Sequence, residues 1–438
     1  MIVKLLLDRK REGQELAPDE IRDFIAAYTR GEVPDYQMAA FAMAVCCKGM
    51  TDAETLALTT AMRDSGECLS WDDLSVPTAD KHSTGGVGDK LSLVIQPLAA
   101  ACGLGVPSLT GRGLGLTGGT ADKMESIPGY VAGLSLADYR KVVAACGCSL
   151  TVQTGEIAPA DKKLYALRDV TGTVPSIPLI VASILSKKLA EGAGTLVFDV
   201  KCGAGAFMKT RLEAVALAKA LVAGAKGAGR KSVALVTAMD EPLGFAVGNA
   251  LEVQEAIDAL KGTDGRDTRL PSDVVELSVE LAARMMALAR EMPLDEARAL
   301  CRARLADGSA WARFAEMVRL HGGDLAAFEK MADKVPPPVQ VKAAASGFIA
   351  AIDARKVAQA AFELGAGRAQ ATDAIDPAAG VRLLVTRGDK VSVGQPLAEL
   401  YAPARPERLT VAAQLVEQAI ACVDDAPAAK PLVLEVVE

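Results

Sequence analysis

The sequence predicts an α/β protein in three parts: a helical domain, a large α/β domain and a small carboxy-terminal β-rich lobe. Three observations carry this reading. Apolar residues recur at helical spacing over the first 65 residues, apolar runs ending in glycine begin near residue 77, and a triple proline precedes short alternating segments near the end. With 438 residues the chain is long for one compact unit, and its 50% hydrophobic content is ample for a large core.

In the helical layer, "PDEIRDFIAAYTRG" sets Ile21, Phe24, Ile25 and Tyr28 on one face, with acidic residues in its first turn. "PDYQMAAFAMAVCCKGM" and "TDAETLALTTAMRDSG" repeat the scheme, with Pro34 before Asp35 and Thr51 placed as a cap. From residue 77, "LSLVIQPLAAACGLGV", "SLTVQTG", "GTLVFDVKCGAGAF" and "KSVALVTAMD" read as buried parallel strands. Between them, "APADKKLYALRDV" and "SIPLIVASILSKKLAEG" return to helical periodicity, an excursion placed to rejoin the first helical layer. "KVPPPVQVKA", residues 334 to 343, reads as a hinge, because successive prolines hold the chain extended. After it, "GVRLLVTRGDKVSVGQPLAELYA" alternates between Gly-Asp and Gly-Gln turns, as a small antiparallel β unit does.

Composition narrows the function. No uninterrupted apolar run reaches the roughly 20 residues of a membrane span, and the amino terminus mixes apolar with charged residues, unlike a signal peptide. A soluble, cytoplasmic protein is expected. The net charge of -7 is spread along the chain without a basic, aromatic-laced patch, which argues against nucleic acid. Nine cysteines show no C-x-x-C pair or Cys/His cluster and are expected to be buried reduced thiols. Of the two histidines, His321 follows a helical segment before a Gly-Gly turn and reads as a capping or surface residue.

His82 lies in "ADKHSTGGVGDKLSL", residues 79 to 93, a run with the make-up of a phosphate cradle. Its glycines let amides converge on an anion, Ser83 and Thr84 add hydroxyls, and Lys81 adds a charge. It has neither the P-loop spacing nor G-x-G-x-x-G. A second run, "LTGRGLGLTGGTADKMES" at 109 to 126, offers further amides and the hydroxyls of Thr110, Thr117 and Thr120; Gly113, Gly115 and Gly118 spell G-x-G-x-x-G there, which is weak evidence in so glycine-rich a run. Two cradles near strand ends fit one site gripping an anion from both sides.

Together with "APADKKLYALRDVTGTVPSIPLIVASILSKKLAEG" and "VFDVKCGAGAFM", these motifs resemble the pyrimidine-nucleoside phosphorylases, the family that includes thymidine phosphorylases, over essentially the whole chain. The resemblance implies a helical domain from residues 1–65 and 160–192 on the pyrimidine side, carrying the contacts of a homodimer. It implies a phosphate-binding α/β domain from 77–159 and 193–333, and a β-rich lobe over 344–438 after the hinge. The implied reaction is phosphorolysis of a pyrimidine nucleoside to free base and α-(deoxy)ribose 1-phosphate, with inorganic phosphate as co-substrate, no cofactor, and domain closure between the two sides. Carried over residue by residue, it assigns phosphate to Lys81, Ser83, Ser92, Thr110 and Thr120, and the pyrimidine to Arg168, Ser183 and Lys187, with Tyr165 nearby. His82, Arg168 and Lys187 are the implied catalytic groups. Ser183 and Lys187 lie one helical turn apart, so both can face one cleft, while Arg168 can offer a planar fork to a ring carbonyl.

Two departures stand out. Leu116 occupies a position where many relatives carry a substrate-facing histidine, and Lys90 replaces a threonine that in some bacterial relatives helps Gly88, Leu243, Ala246 and Glu255 bind potassium. Its ammonium could stand beside Glu255 in the ion's place, which leaves potassium dependence open. Two alternatives are a phosphoribosyltransferase of related fold, whose metal-binding acidic motif is not apparent, and a non-catalytic nucleoside-binding protein that kept the fold.

Overall fold

The computed structural model describes residues 2–113, 116–262, 272–370 and 372–438; Gly115 of the glycine-rich run lies outside them. Four helices open the chain: α1 (Val3–Arg11), α2 (Pro18–Thr29), α3 (Asp35–Lys48) and α4 (Asp52–Arg63). Thr51 caps α4 by accepting from the Glu54 amide while Glu54 accepts from the Thr51 amide. Then come β1 (Ala79–Ser83), α5 (Leu91–Ala101), β2 (Val106–Thr110), α6 (Thr120–Met124), α7 (Leu136–Cys146) and β3 (Cys148–Val152). Helices α8 (Pro159–Thr171) and α9 (Ile177–Glu191) lead to β4 (Thr195–Cys202), α10 (Arg211–Gly227), β5 (Lys231–Ala238), β6 (Ala246–Val247) and α11 (Asn249–Lys261).

Helices α12 (Ser272–Arg290), α13 (Leu294–Ala306), α14 (Ser309–Leu320) and α15 (Leu325–Met331) follow. The last part holds β7 (Val339–Lys342), β8 (Gly347–Ile352), α16 (Ala354–Leu364), β9 (Gly380–Leu383), β10 (Lys390–Val391), β11 (Pro396–Tyr401), α17 (Leu409–Ala419), β12 (Ile420–Val423) and β13 (Val433–Val437).

The amphipathic faces of α1 to α4 close on one core with Ala160 and Leu164 of α8 and Leu179 and Ala182 of α9. Another face of α9, with Val181, Leu185 and Leu189, packs into the core beneath β4 and β5. Helix α9 therefore belongs to both layers. The central sheet runs β1-β4-β5-β13, its first three strands parallel, with a parallel β2-β3 pair alongside joined through the Thr78 and Gly105 bridge.

Four expectations are corrected. "LSLVIQPLAAA" is helix α5, not a strand: it is buried nearly all round, so the apolar run has no periodic face to betray the helix. The hinge stretch is partly ordered sheet, since Val339–Lys342 pairs with β11. The final residues leave the β-rich lobe, and β13 completes the central sheet antiparallel to β5; the lobe also carries α16 and α17 and borrows β6 as an edge of its sheet. Finally, His321 does cap α14, its amide donating to Met317 O at 3.1 Å, but it is not a surface residue. It is 2% exposed, and its ring stacks on Tyr130, donates from Nδ1 to Val131 O at 2.8 Å and meets the Ser149 hydroxyl at 2.9 Å. Of the cysteines, all unpaired as disulfides, five are buried, but Cys47, Cys68 and Cys422 are exposed and Cys46 is half-buried. Among the described residues no helix is long and apolar enough to cross a membrane.

Candidate active site

The first cradle begins where β1 ends and turns into the first residues of α5. Lys81 is fully buried, and its ammonium has no hydrogen-bond partner among the described residues, standing 3.7 Å from Asp199 and 4.0 Å from Asp89. A desolvated cation held just short of two carboxylates is poised for an anion. Ser83 donates its hydroxyl to Asp89 and accepts from the Gly85 amide at 3.2 Å. Burial alone would push Asp89 up, but Lys81, Lys201, Lys123 and the Ser83 hydroxyl outweigh it and hold the carboxyl well below the usual range. Ser92, in the first turn of α5, is half-buried.

The second cradle behaves differently from expectation. The amides of Gly113 and Gly119 do not stand open to an anion: both donate to Asp122, at 2.6 and 2.8 Å. A Cβ on Gly113 would lie 2.4 Å from Gly119 N, so only glycine lets the two strands of this loop close on each other. Arg368, from the carboxy-terminal lobe, locks the loop by donating to Gly113 O at 3.0 Å and Asp122 at 3.1 Å. Thr110 and Thr120 flank the loop, half-buried, at the end of β2 and the start of α6. Leu116 packs, half-buried, against the α/β core.

On the helical side, Lys187 donates to the Ser183 hydroxyl at 3.0 Å and to Asp161, so the four-residue spacing on α9 does bring the pair together. Arg168 is 1% exposed and does not aim its whole fork at a ligand. It donates to the carbonyls of Thr173 at 3.2 Å, Leu179 at 3.0 Å and Val174 at 2.7 Å, knitting the turn between α8 and α9. Three of its five N–H groups are used in this way, which leaves one on each terminal nitrogen. Tyr165 is 48% exposed on α8. The two sides meet at His82, half-buried on β1. Burial depresses its basicity most, followed by the charges of Lys188, Lys187 and Lys81, against the pull of Asp89, so the imidazole is neutral.

Beneath the first cradle lies a second buried cation. The Lys90 ammonium donates to Leu243 O at 2.7 Å, to Ala246 O at 3.0 Å and to Glu255. Gly88, at φ +70°, approaches so closely that a Cβ would sit 2.6 Å from Leu243 O. The ammonium thus stands among the oxygens that the resemblance assigns to potassium in some relatives. A groove of about 640 Å³ between α2 and α4 shares no residue with either cradle.

Sequence reasoning passed over Asp89, Asp199, Lys201, Lys123 and Asp122. A signal existed for two of them: Asp199 and Lys201 stand inside "TLVFDVKC", an otherwise apolar strand, where charge is costly unless paired.

Residues 4–66 match the helical bundle domain and 75–311 the a/b domain of a glycosyl transferase family, and 348–422 match the pyrimidine nucleoside phosphorylase C-terminal domain. The chain is 46% identical to the thymidine phosphorylase of Agrobacterium fabrum, covering 99% of each chain. It is also 46% identical to the pyrimidine-nucleoside phosphorylase of Bacillus subtilis, over 91% of each. Among solved structures, anthranilate phosphoribosyltransferase from Thermus thermophilus superposes with a TM-score of 0.57 at 20% identity, covering 72% of this chain and 98% of that one, a likeness of fold alone.

Proposed function

The chain belongs to the family of thymidine and pyrimidine-nucleoside phosphorylases, and from that premise we propose that it cleaves pyrimidine nucleosides with inorganic phosphate, releasing the free base and an α-(deoxy)ribose 1-phosphate. The observation that carries the reading is the buried ammonium of Lys81 at the first cradle, which makes no hydrogen bond among the described residues. Phosphate is held there by Lys81, Ser83 and Ser92, with Thr110 and Thr120 closing from the second loop. It attacks C1′ as the glycosidic bond breaks, while Lys187, Ser183 and the spare N–H groups of Arg168 stabilise the negative charge spreading over the departing pyrimidine. Neutral His82, between the two sides, donates or accepts a hydrogen bond without adding charge. Tyr165 and Leu116 border the base side.

The test is base release from uridine and thymidine with and without phosphate. Release is expected only with phosphate, and the sugar phosphate is expected to be the α anomer, by inversion at C1′. Undiminished release in phosphate-free buffer would make the protein a hydrolase.

The reading extends to a cytoplasmic homodimer. Exposed Ile2 and Leu5 near or on α1, and Tyr36 and Met43 seven residues apart on α3, support an interface on the helical bundle. It also extends to Lys90 as a built-in cation in place of potassium, supported by its three oxygen partners. Exchange of potassium for tetramethylammonium at constant ionic strength should leave wild-type activity unchanged, and Lys90→Thr should become potassium-responsive. A strong potassium requirement in the wild type would remove this reading of Lys90.

A further inference from the structure

Behind the candidate ligands lies a buried polar cluster that the reaction does not use directly. Lys188, 3% exposed, donates to Asp80 on β1, to Glu191 on its own helix at 2.8 Å and to Leu109 O on β2 at 2.9 Å. Glu191 also accepts from the Leu109 amide at 2.8 Å. The other oxygen of Asp80 accepts from Gln96 on α5 at 3.1 Å, and the same Gln96 nitrogen donates to Ser108 at 2.9 Å. Apart from Ser108, every member adjoins an expected ligand or lies one helical turn from it. Lys188 follows Lys187, Asp80 precedes Lys81, Leu109 precedes Thr110, and Gln96 stands four residues after Ser92.

A fully buried ion cluster is a poor means of stabilising a fold, since apolar residues of similar volume do as well or better. Its placement suggests another use. Helix α9 is shared between the helical core and the sheet core, so it is the element through which movement of one layer against the other reaches Ser183 and Lys187. Only Lys188 and Glu191, in its last turn, tie that helix to both β1 and β2 within this cluster.

We propose that Lys188 is a positioning residue for phosphorolysis, holding the base-side pair Ser183 and Lys187 in register with phosphate-side Lys81 and Thr110. Strand alternation puts Asp80 and His82 on the same face of β1. After burial, Lys188 is the strongest influence keeping His82 unprotonated, ahead of Lys187 and Lys81 and against Asp89. Removing it therefore has a signature in pH as well as in geometry.

The proposal rests on the phosphorylase reading, and wild-type protein that releases no base would sink that reading rather than this one. Steady-state kinetics of Lys188→Met, with both substrates varied across pH below the variant's melting transition, test it. Both KM values are expected to rise about tenfold, kcat to fall, and the acid limb of kcat/KM to move to higher pH. A residue that only supports the fold would lower the melting temperature and leave the KM values and the pH profile at wild type, and that result overturns the proposal. Should Lys188→Met not fold, Asp80→Asn/Lys188→Met/Glu191→Gln leaves none of the cluster's charges buried alone and is read by the same criteria.

Discussion

Lys81→Ala is expected to raise the phosphate KM by about tenfold to a hundredfold, because a charged hydrogen bond to the anion contributes roughly 1.5 to 3 kcal/mol. The ammonium is already desolvated and has no hydrogen-bond partner among the described residues, so little is lost in turning toward the ligand. The nucleoside KM should change much less, since Ser183 and Lys187 hold each other on α9 and the tie from that helix to β1 runs through Asp80 rather than Lys81. Asp89 and Asp199 keep Lys201 or Lys123 nearby, so the variant should still fold. Initial-rate measurements with phosphate and nucleoside varied separately check this. An unchanged phosphate KM in a folded variant removes Lys81 from the set of ligands.

Arg168→Met is expected to destabilise the protein by about 3 kcal/mol or more and to weaken nucleoside binding at the same time. The substitution keeps an apolar stem of similar reach but removes three hydrogen bonds from a charged donor, to the carbonyls of Thr173, Val174 and Leu179, each contributing roughly 1.5 to 3 kcal/mol. The turn they form sets the start of α9, so its loosening displaces Ser183 and Lys187 as well. Arg168→Lys should recover little, because one ammonium cannot span three carbonyls from a single stem. Denaturant unfolding and the nucleoside KM are the paired measurements. Wild-type stability would show that the turn does not depend on the guanidinium, and a normal nucleoside KM with lowered stability would confine Arg168 to a structural role.

The parts of the site legible in the sequence are those whose geometry is local. Ser183 and Lys187 meet because residues four apart on a helix always share a face, and Lys81, His82 and Ser83 end a strand because a glycine-rich turn follows them. Arg168 was legible as a member of a motif but not in its contacts. Its fork is turned onto its own backbone by a turn that forms only once α8 and α9 pack.

By itself, then, the sequence determined the helical layer, the strands β3, β4 and β5, the glycine-rich turns at two strand ends, and the family, through long motifs in fixed order. Periodicity and turn chemistry act over a few residues and need no knowledge of partners. Tertiary structure alone decided the rest. It made α5 a helix buried on all sides, where periodicity is silent, and brought β13 back to the central sheet. It spent the Gly113 and Gly119 amides on Asp122, and set Lys90 among oxygens more than 150 residues away in the chain. It also joined Lys188 to Asp80 across 108 residues. Buried charge must find its counter-charge wherever the packed chain supplies one, and no local pattern records which distant residue that is.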